Sequence, residues 1–248
     1  MTPPPRRPLQ VRPTDPLVRW IVGDREPRGL VADGGNVAWL GRASRPGESW
    51  VTGLGEDPHV VVRLVTELAD AHDVDGVTVP DAVFDVLPER LRSPDPGHWC
   101  LWTLDPADAQ LRATSAVDLA LDDPRIAPLL GHSDSAHLFP GEPRIVRWVG
   151  VVDGERLMSV AAQVTEPTGA VHIVSVCTDP QARGRGLARE ACTRIMEGAL
   201  AVGAPMLVLE MYVANEAGRR VYRALGFTET GRYRSGLLAH AQRPRVQA

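Results

Sequence analysis

A strand, a loop rich in glycine and arginine, and a helix follow one another between Val171 and Met196, and no other stretch constrains the fold as strongly. Its first residues, Val171 to Val176, are mostly apolar and β-branched, which is typical of a buried strand. Asp179-Pro180 ends the strand, because proline has no amide hydrogen to give to a ladder. Beyond the loop, apolar residues recur every three or four positions, which predicts a helix with one apolar face.

The loop between this strand and this helix has the properties of a pyrophosphate-binding cradle. Its two glycines let successive backbone amides converge and let a ligand approach closely. Its two arginines and the N-terminus of the helix add positive charge. The residues predicted to hold the pyrophosphate are Arg183, Gly184, Arg185, Gly186, Leu187 and Ala188.

Two better-known phosphate loops do not fit this stretch. A Walker loop requires Gly-Lys-Ser/Thr, and the sequence contains no lysine. A dinucleotide fingerprint requires an acidic residue about twenty positions further on, which is absent here. A surface turn rich in arginine and glycine, without a ligand, remains the alternative.

A second pattern lies on the next strand and helix. Met206 to Val213 is another apolar strand, and Asn215 ends it. Tyr222 follows seven positions after Asn215, near the middle of a short helix that Gly226-Phe227 closes. The spacing is therefore N-x6-Y-x3-G-F.

Together, R-G-x-G after one strand and N-x6-Y-x3-G-F after the next resemble the GNAT superfamily of acyl-CoA-dependent N-acyltransferases, over roughly Arg144 to Leu238. The resemblance implies an α/β fold of the GNAT type, with a mixed central sheet flanked by helices, in two tandem copies. It implies acetyl-CoA as the acyl donor and an amine of a small molecule or a peptide as the acceptor. A homodimer is compatible with it.

By the same resemblance, the backbone of Val176, Cys177 and Thr178 pairs with the pantetheine arm of the donor. Tyr222 is the candidate acid that protonates the departing thiolate, and its alternative role is that of a core tyrosine. Asn215 either binds the cofactor or caps the helix that follows it.

The sequence does not decide which residue is the base that deprotonates the acceptor amine. Some relatives use a glutamate six positions before the residue that matches Thr178, and His172 stands there in this chain. A neutral imidazole can accept the proton directly or through water, although a single histidine on a strand is commonly structural. Glu210 on the neighbouring strand is a rival, and His132 and His137 are weaker ones.

Composition excludes several classes of function. The formal net charge of −4 argues against a general nucleic-acid surface. The sequence lacks an apolar run of about 18 residues that would span a membrane, and its proline-rich start lacks the apolar region of a secretory signal. The three cysteines lie in apolar contexts, which predicts reduced core residues in a cytoplasmic protein. No cluster has the spacing of metal ligands, so no metal is expected.

The sequence predicts three segments. Residues 1–16 are expected to be a disordered, proline-rich lead, residues 17–104 a degenerate, non-catalytic copy of the fold, and residues 105–248 the catalytic domain. The first copy repeats the order strand, helix, strand, helix, strand, but Glu56 and Asp57 stand where the loop of the second copy has arginines, and acids repel a pyrophosphate. An unrelated small α/β domain is the alternative for this half.

Four local predictions can be compared with the structure. Helices are expected over Pro58 to Ala71 and over Asp81 to Leu91, with Asp81 as an N-cap. A strand is expected within Ala109 to Ala116. Asp153-Gly154 predicts the turn of a hairpin.

The function that follows is transfer of an acetyl group from acetyl-CoA to a primary amine by direct attack in a ternary complex. The rival is a non-enzymatic acyl-CoA-binding or sensor module whose N-terminal half binds a protein partner. Tyr222 together with Asn215 favours an enzyme, because a binding module requires only the loop. A covalent acyl-cysteine is disfavoured, since Cys177 and Cys192 lie on faces expected to be buried.

Overall fold

The computed structural model describes residues 5–42 and 47–242. The chain forms two compact units. Unit 1 contains the residues up to Cys100 and those from Gly231 onward, and unit 2 contains Leu101–Thr230. The grouping differs at the C-terminal end from the division predicted from the sequence, which kept residues 105–248 together.

The elements of the first half are α1 (Pro8–Val11), a π-helical turn (Leu17–Val22), β1 (Leu30–Asp33), β2 (Asn36–Arg42), β3 (Ser49–Leu54), α2 (Pro58–Ala71), β4 (Gly76–Pro80), α3 (Asp81–Phe84), a 3₁₀ turn (Glu89–Leu91) and β5 (Gly97–Leu104). Residues 1–4 of the predicted disordered lead lie outside the described residues. The later part of that lead is helical at α1, where Pro8 is buried.

The elements of the second half are a 3₁₀ turn (Pro106–Asp108), β6 (Val117–Leu119), α4 (Ile126–Leu130), β7 (Ile145–Asp153), β8 (Arg156–Thr165), β9 (Val171–Thr178), a 3₁₀ turn (Pro180–Ala182), α5 (Leu187–Ala201), β10 (Leu207–Tyr212), α6 (Glu216–Leu225), β11 (Thr228–Leu237) and a 3₁₀ turn (Ala239–Ala241). Within the described part of the chain, no helix combines the length and the apolar character needed to cross a membrane.

The two halves repeat one architecture. In unit 1, β1, β2 and β3 are antiparallel and β3 is parallel to β4. In unit 2, β7, β8 and β9 are antiparallel and β9 is parallel to β10. A helix follows β3 and β9 alike, so the predicted mixed α/β sheet with flanking helices is confirmed.

The last strand of each half is divided between the two units. β11 pairs with β4 in unit 1, from Tyr233↔Pro80 to Leu237↔Gly76. β5 in turn lies beside β10. The boundary between the two units therefore falls inside β5 and inside β11.

The helix predicted over Pro58 to Ala71 is present with those bounds. The carboxylate of Asp57 caps it by accepting hydrogen bonds from the amides of His59 and Val60, at 2.9 and 3.3 Å. Its buried face consists of Val61, Leu64, Val65 and Leu68.

The helix predicted over Asp81 to Leu91 is wrong in its extent. It stops at Phe84, and a separate 3₁₀ turn follows after Pro88, because proline has no amide hydrogen and restricts the residue before it. Asp81 is not the N-cap. Its carboxylate instead contacts His98 Nε2 at 2.8 Å and Arg234 Nε at 3.3 Å.

The strand predicted within Ala109 to Ala116 is also wrong, since the strand of this region is β6. Polar groups just before β6 bind α5. The Thr114 hydroxyl donates to the Glu190 carbonyl at 2.9 Å, and the Ser115 amide donates to the Glu190 carboxylate at 3.0 Å. The hairpin around Gly154 is confirmed as the connection between β7 and β8, and Gly154 has φ +59°.

Asp118 joins β6 to its neighbours. Its carboxylate accepts hydrogen bonds from Arg147 on β7 and from Arg194 on α5, the latter at 2.6 Å. The hydrogen bond from Arg147 is the main cause that lowers the pKa of Asp118 from its ordinary 3.8 to about 2.

We expect Asp118→Asn to reduce the free energy of unfolding at pH 7 by up to about 1 kcal/mol, because the carboxyl is about half exposed and its ion pairs are screened by water. A lowered folded-state pKa stabilises above the ordinary pKa, and the stabilisation is lost as pH falls from about 4 to about 2. Urea unfolding at pH 7 and pH 3 measures this. Asp122→Asn, at an exposed neighbour, is the control, and an equal deficit at both pH values would contradict the prediction.

Candidate functional site

The strand β9 carries a bulge in its second half. Val160 of β8 faces Cys177, yet Ala162 faces Val174, so β9 has one residue too many between these pairs. Ser175, inside the bulge, has φ +50°, the left-handed region that non-glycine residues rarely adopt. Its hydroxyl donates to the Leu138 carbonyl at 2.8 Å, which holds the bulge against the loop before β7.

β9 and β10 separate where the bulge begins. Their parallel register runs from Val171↔Leu207 to Ile173↔Leu209 and ends there, although β9 continues to Thr178. The edge of β9 that faces β10 is therefore available to an extended ligand that hydrogen-bonds like a strand. This edge includes Val176 and Thr178, whose backbone was predicted to bind the donor. The Cys177 carbonyl, for which the same was predicted, faces β8 instead and accepts from the Ser159 hydroxyl at 3.0 Å.

The loop after β9 leads into an uncapped helix. Gly184 and Gly186 have φ +79° and +82°. Gly186 is the N-cap of α5, and no side chain accepts from the first amides of this helix. A Cβ on Gly184 would meet no heavy atom within 4 Å, so the space above the loop is open. Leu187 and Ala188 begin the helix, and Leu187 is buried.

The two arginines of this loop lie at its surface. Arg183 Nε donates to the Thr178 carbonyl at 3.4 Å, and its Nη2 donates to the His132 carbonyl at 3.4 Å. Arg185 is exposed. Two exposed guanidinium groups beside uncapped helix amides produce a site of positive potential.

The corresponding loop of unit 1 is closed by its own side chains. A Cβ on Gly55 would collide with the side chains of Asn36 and Val61. Asp57 occupies the amides at the start of α2 as their cap. Glu56 and Asp57 were predicted to repel a pyrophosphate. Asp57 goes further, because its carboxylate takes the position at the helix amides that an external anion would need.

The helix α6 carries the second motif. Asn215 is its N-cap and accepts from the Gly218 amide at 2.8 Å, which is the capping alternative of the sequence analysis. Tyr222 is buried, with its ring edge-to-face on Phe227 at 6.1 Å between centroids. Burial raises the pKa of Tyr222 above its ordinary value, with a smaller contribution from Cys192, so its hydroxyl stays protonated at neutral pH.

The two leading candidates for the base lie on one face of the sheet. His172 faces both Val164 of β8 and Val208 of β10, and side chains of facing residues share a side. Glu210 lies two residues beyond Val208 on the same side, and it is exposed. His172 is buried, and its Nδ1 lies 3.0 Å from a carboxylate oxygen of Glu166.

The weaker candidates lie elsewhere. His132 and His137 are exposed in the loop before β7. The charge of His132 influences Asp179 and that of His137 influences Glu142, so each has a carboxylate nearby.

The cysteines do not form a nucleophilic site. The Cys177 thiol donates to the Leu129 carbonyl at 3.2 Å, and burial raises its pKa. Burial raises the pKa of Cys192 to about 12. Both thiols are therefore protonated at neutral pH and unreactive. Among the described residues, no group of three or more metal-ligating side chains comes together.

The arginines near the C-terminus do not act as one patch. Arg219 is buried, pairs with Glu229 at 2.6 Å and donates to the Val213 carbonyl at 3.0 Å. Arg234 pairs with Asp81 in unit 1. These two arginines are used within the fold, whereas Arg220 and Arg223 are exposed.

Sequence reasoning missed two residues of this region. The left-handed backbone of Ser175 has no sequence signal, because bulges depend on the neighbouring strand. Glu166 lies in the turn before β9, and only the hairpin geometry brings it to His172. A search for a carboxylate near the candidate base could have found Glu166, but not its orientation.

Comparison with known proteins agrees with the family resemblance of the two sequence motifs. Residues 115–227 match the model of the acetyltransferase (GNAT) family. N-acetylaspartate synthetase from Rattus norvegicus is 29% identical over 103 residues, covering 40% of this chain and 34% of that protein. The Danio rerio protein of the same name is 31% identical over 84 residues, covering 34% and 30%. This chain thus spans about a third of the length of the curated relatives it matches.

Solved structures show a similar fold over most of the chain. A GCN5-related N-acetyltransferase from Kribbella flavida has a TM-score of 0.57 at 16% identity, covering 86% of this chain and 90% of the other. A GNAT-family structure from Novosphingobium aromaticivorans has a TM-score of 0.55 at 20% identity, covering 94% and 96%. The α/β fold predicted from the two motifs is confirmed.

We expect Gly184→Val to weaken acetyl-CoA binding at least about tenfold, which is about 1.4 kcal/mol, because the side chain fills the open space above the loop. Titration calorimetry measures this. Gly203→Val is the matched control, since Gly203 also has positive φ (+66°) and open space but lies after α5. Both variants carry a similar backbone strain, so equal affinity in the two would mean that the loop does not hold the donor.

Proposed function

We propose that this chain, whose residues 115–227 match the model of the acetyltransferase (GNAT) family, transfers an acetyl group from acetyl-CoA to a primary amine in a ternary complex. One observation carries the proposal. The free edge of β9 leads directly into a loop whose helix amides have no side-chain cap, so a place for an extended arm is continuous with a place for a pyrophosphate.

The donor uses both places. Its pyrophosphate lies on the amides of the loop and of the start of α5, with Arg183 and Arg185 supplying positive charge. Its pantetheine arm runs along Val176 to Thr178 and completes the sheet where β10 has turned away. Unit 1 takes no donor, because Asp57 already occupies the equivalent amides.

Acetyl transfer requires that charge on the thioester oxygen be stabilised as the amine attacks. A backbone amide of the bulge supplies this hydrogen bond, since the bulge removes amides from the regular ladder. One such donor is worth roughly 3 kcal/mol of transition-state stabilisation. The rigid contact of Ser175 with Leu138 keeps the amide in place, so little reorganisation accompanies the reaction.

Tyr222 protonates the departing sulfur. Its raised pKa guarantees that the hydroxyl holds its proton before the reaction. A phenol of raised pKa is a weaker acid than an ordinary thiol, whose pKa is about 8.5. The proton therefore moves to the sulfur only as the carbon–sulfur bond breaks. The hydroxyl recovers a proton from the attacking nitrogen, which loses it on becoming an amide, so that no phenolate is left behind.

The acceptor is an amine that enters from the face of the sheet that carries His172 and Glu210. Glu210, being exposed, attracts the ammonium form, and His172 takes its proton. The names of the curated relatives describe an N-acetylated amino acid as the product, so small α-amino acids such as aspartate head the acceptor panel.

The direct test measures thiol release from acetyl-CoA with a panel of amino acids, polyamines and peptides, and mass spectrometry of the acetylated product. Amine-dependent thiol release supports the enzyme. Saturable acetyl-CoA binding without thiol release for any amine supports the rival function, an acyl-CoA-binding or sensor module.

We expect Tyr222→Phe to lower kcat by roughly 10²- to 10⁴-fold, the usual worth of a positioned acid. Acetyl-CoA affinity stays within a few-fold, because the loop after β9 is untouched. Loss of rate with intact binding indicates an interaction made in the transition state. Thiol-release kinetics and calorimetry on one variant measure both quantities.

Tyr233→Phe is the control, since it removes another buried hydroxyl, in unit 1, and keeps the ring that stacks on Trp99 at 4.6 Å. We expect wild-type kcat from it. Wild-type kcat in Tyr222→Phe would remove this hydroxyl from the mechanism.

A further inference from the structure

We propose that Glu166 is a positioning residue for the acceptor amine: its carboxylate orients His172 so that Nε2 of the imidazole faces the incoming ammonium. The inference rests on the proposed function, since it assigns a role within that reaction. Neither the motifs nor the comparisons point to Glu166, and only the folded hairpin joins it to His172.

The geometry fixes one tautomer. Glu166 Oε1 lies 3.0 Å from His172 Nδ1. An ionised carboxylate can only accept hydrogen bonds, so Nδ1 carries the hydrogen and Nε2 of the neutral ring keeps its lone pair. The base is thereby ready at Nε2 without a change of tautomer.

The hairpin turn holds Glu166 in place. Its amide donates to the Ala170 carbonyl at 2.9 Å, and its carbonyl accepts from the Gly169 amide at 2.8 Å. Both ends of the turn are thus closed by backbone hydrogen bonds. The side chains of Glu166 and His172 keep only 12% and 10% of their surface accessible, so water screens their interaction weakly.

Few other charges face His172. On β8 and β10 it is flanked by Val164 and Val208, which are apolar. Glu210 and then Tyr212 are the titratable side chains further along the same face of β10, and α4, which packs against β8 and β9, carries none. The helix α5 also packs against both strands and carries Arg189, Glu190, Arg194 and Glu197, of which Glu190 binds Ser115 and Arg194 binds Asp118. His132 and His137 lie in the loop before β7, near the carboxylates of Asp179 and Glu142.

The proton step balances. An N–H bond of the acceptor ammonium breaks, an Nε2–H bond forms, and the amine nitrogen keeps the electron pair with which it attacks the thioester carbon. The imidazolium that results lies against the Glu166 carboxylate, which stabilises its charge. Its proton passes to solvent after the product leaves.

The test is Glu166→Gln, which keeps the size and an acceptor oxygen but removes the charge. We expect kcat/KM at neutral pH to fall about tenfold or more, as part of what a positioned base contributes. The acid limb of the kcat/KM profile moves to lower pH, because the imidazolium has lost its partner charge. The midpoint of the His172 imidazole titration by NMR moves the same way, and acetyl-CoA affinity is unchanged.

Asp81→Asn is the matched control, because Asp81 contacts His98 Nε2 at 2.8 Å in unit 1 and forms the same type of pair. It leaves the acid limb and kcat/KM as in the wild type. Glu166→Asp keeps the charge but shortens the reach. If Glu166→Gln fails to fold, Glu166→Asp is used in its place. We then expect a lower kcat/KM, with a smaller shift in the midpoint of the His172 titration than the loss of charge would cause.

A double-mutant cycle separates positioning from stability. In a His172→Ala background, Glu166→Gln has no further effect on kcat/KM if Glu166 acts through His172. A lower melting temperature with an unchanged acid limb would overturn the role and leave the proposed function standing. Absence of thiol release with every amine would overturn the function, and this role with it.

Discussion

The separation of β9 from β10 after Ile173 is the constraint on which the site of unit 2 depends. A strand whose edge groups were all paired with a neighbour would have none left for a ligand. The bulge at Ser175 bends β9 away from a regular ladder, and the hydrogen bond from its hydroxyl to Leu138 holds the left-handed backbone in place. The free edge then leads into the glycine loop, so that the strand and the loop form one continuous surface.

The two units differ in whether a side chain caps the helix that follows the third antiparallel strand. That one contact decides whether the helix amides are open to an external anion. Each has a helix after its third antiparallel strand, with amides that lack partners inside the helix. In unit 1 the Asp57 carboxylate accepts from those amides, which stabilises α2 and closes the position to an external anion. In unit 2 the cap is Gly186 and the amides of α5 stay free. The helix that is less well capped is thus the one whose first amides remain open to an anion.

Burial sets the chemical state of the reactive side chains around this surface. It raises the pKa of Cys177, Cys192 and Tyr222, so that these groups are neutral and the tyrosine retains a proton to donate. His172 is also buried, but a carboxylate oxygen of Glu166 lies at hydrogen-bond distance from its Nδ1. In the proposed reaction, these surroundings leave the thiols inert, give Tyr222 a proton to donate and give His172 a carboxylate partner.

The sequence alone determined the order of strands and helices, the loop from Arg183 to Gly186, and the placement of Asn215 and Tyr222 on α6, because these depend on short-range periodicity and on glycine and proline. It failed where a proline broke a helix, at Asp81 to Leu91, and where polar contacts with α5 replaced a strand, near Ser115. The division of β5 and β11 between the two units, the bulge in β9 and the pairing of Glu166 with His172 were decided only by the tertiary structure. Each of these features depends on residues far apart in the chain or on the register of a neighbouring strand. Neither can be predicted from a short stretch of sequence.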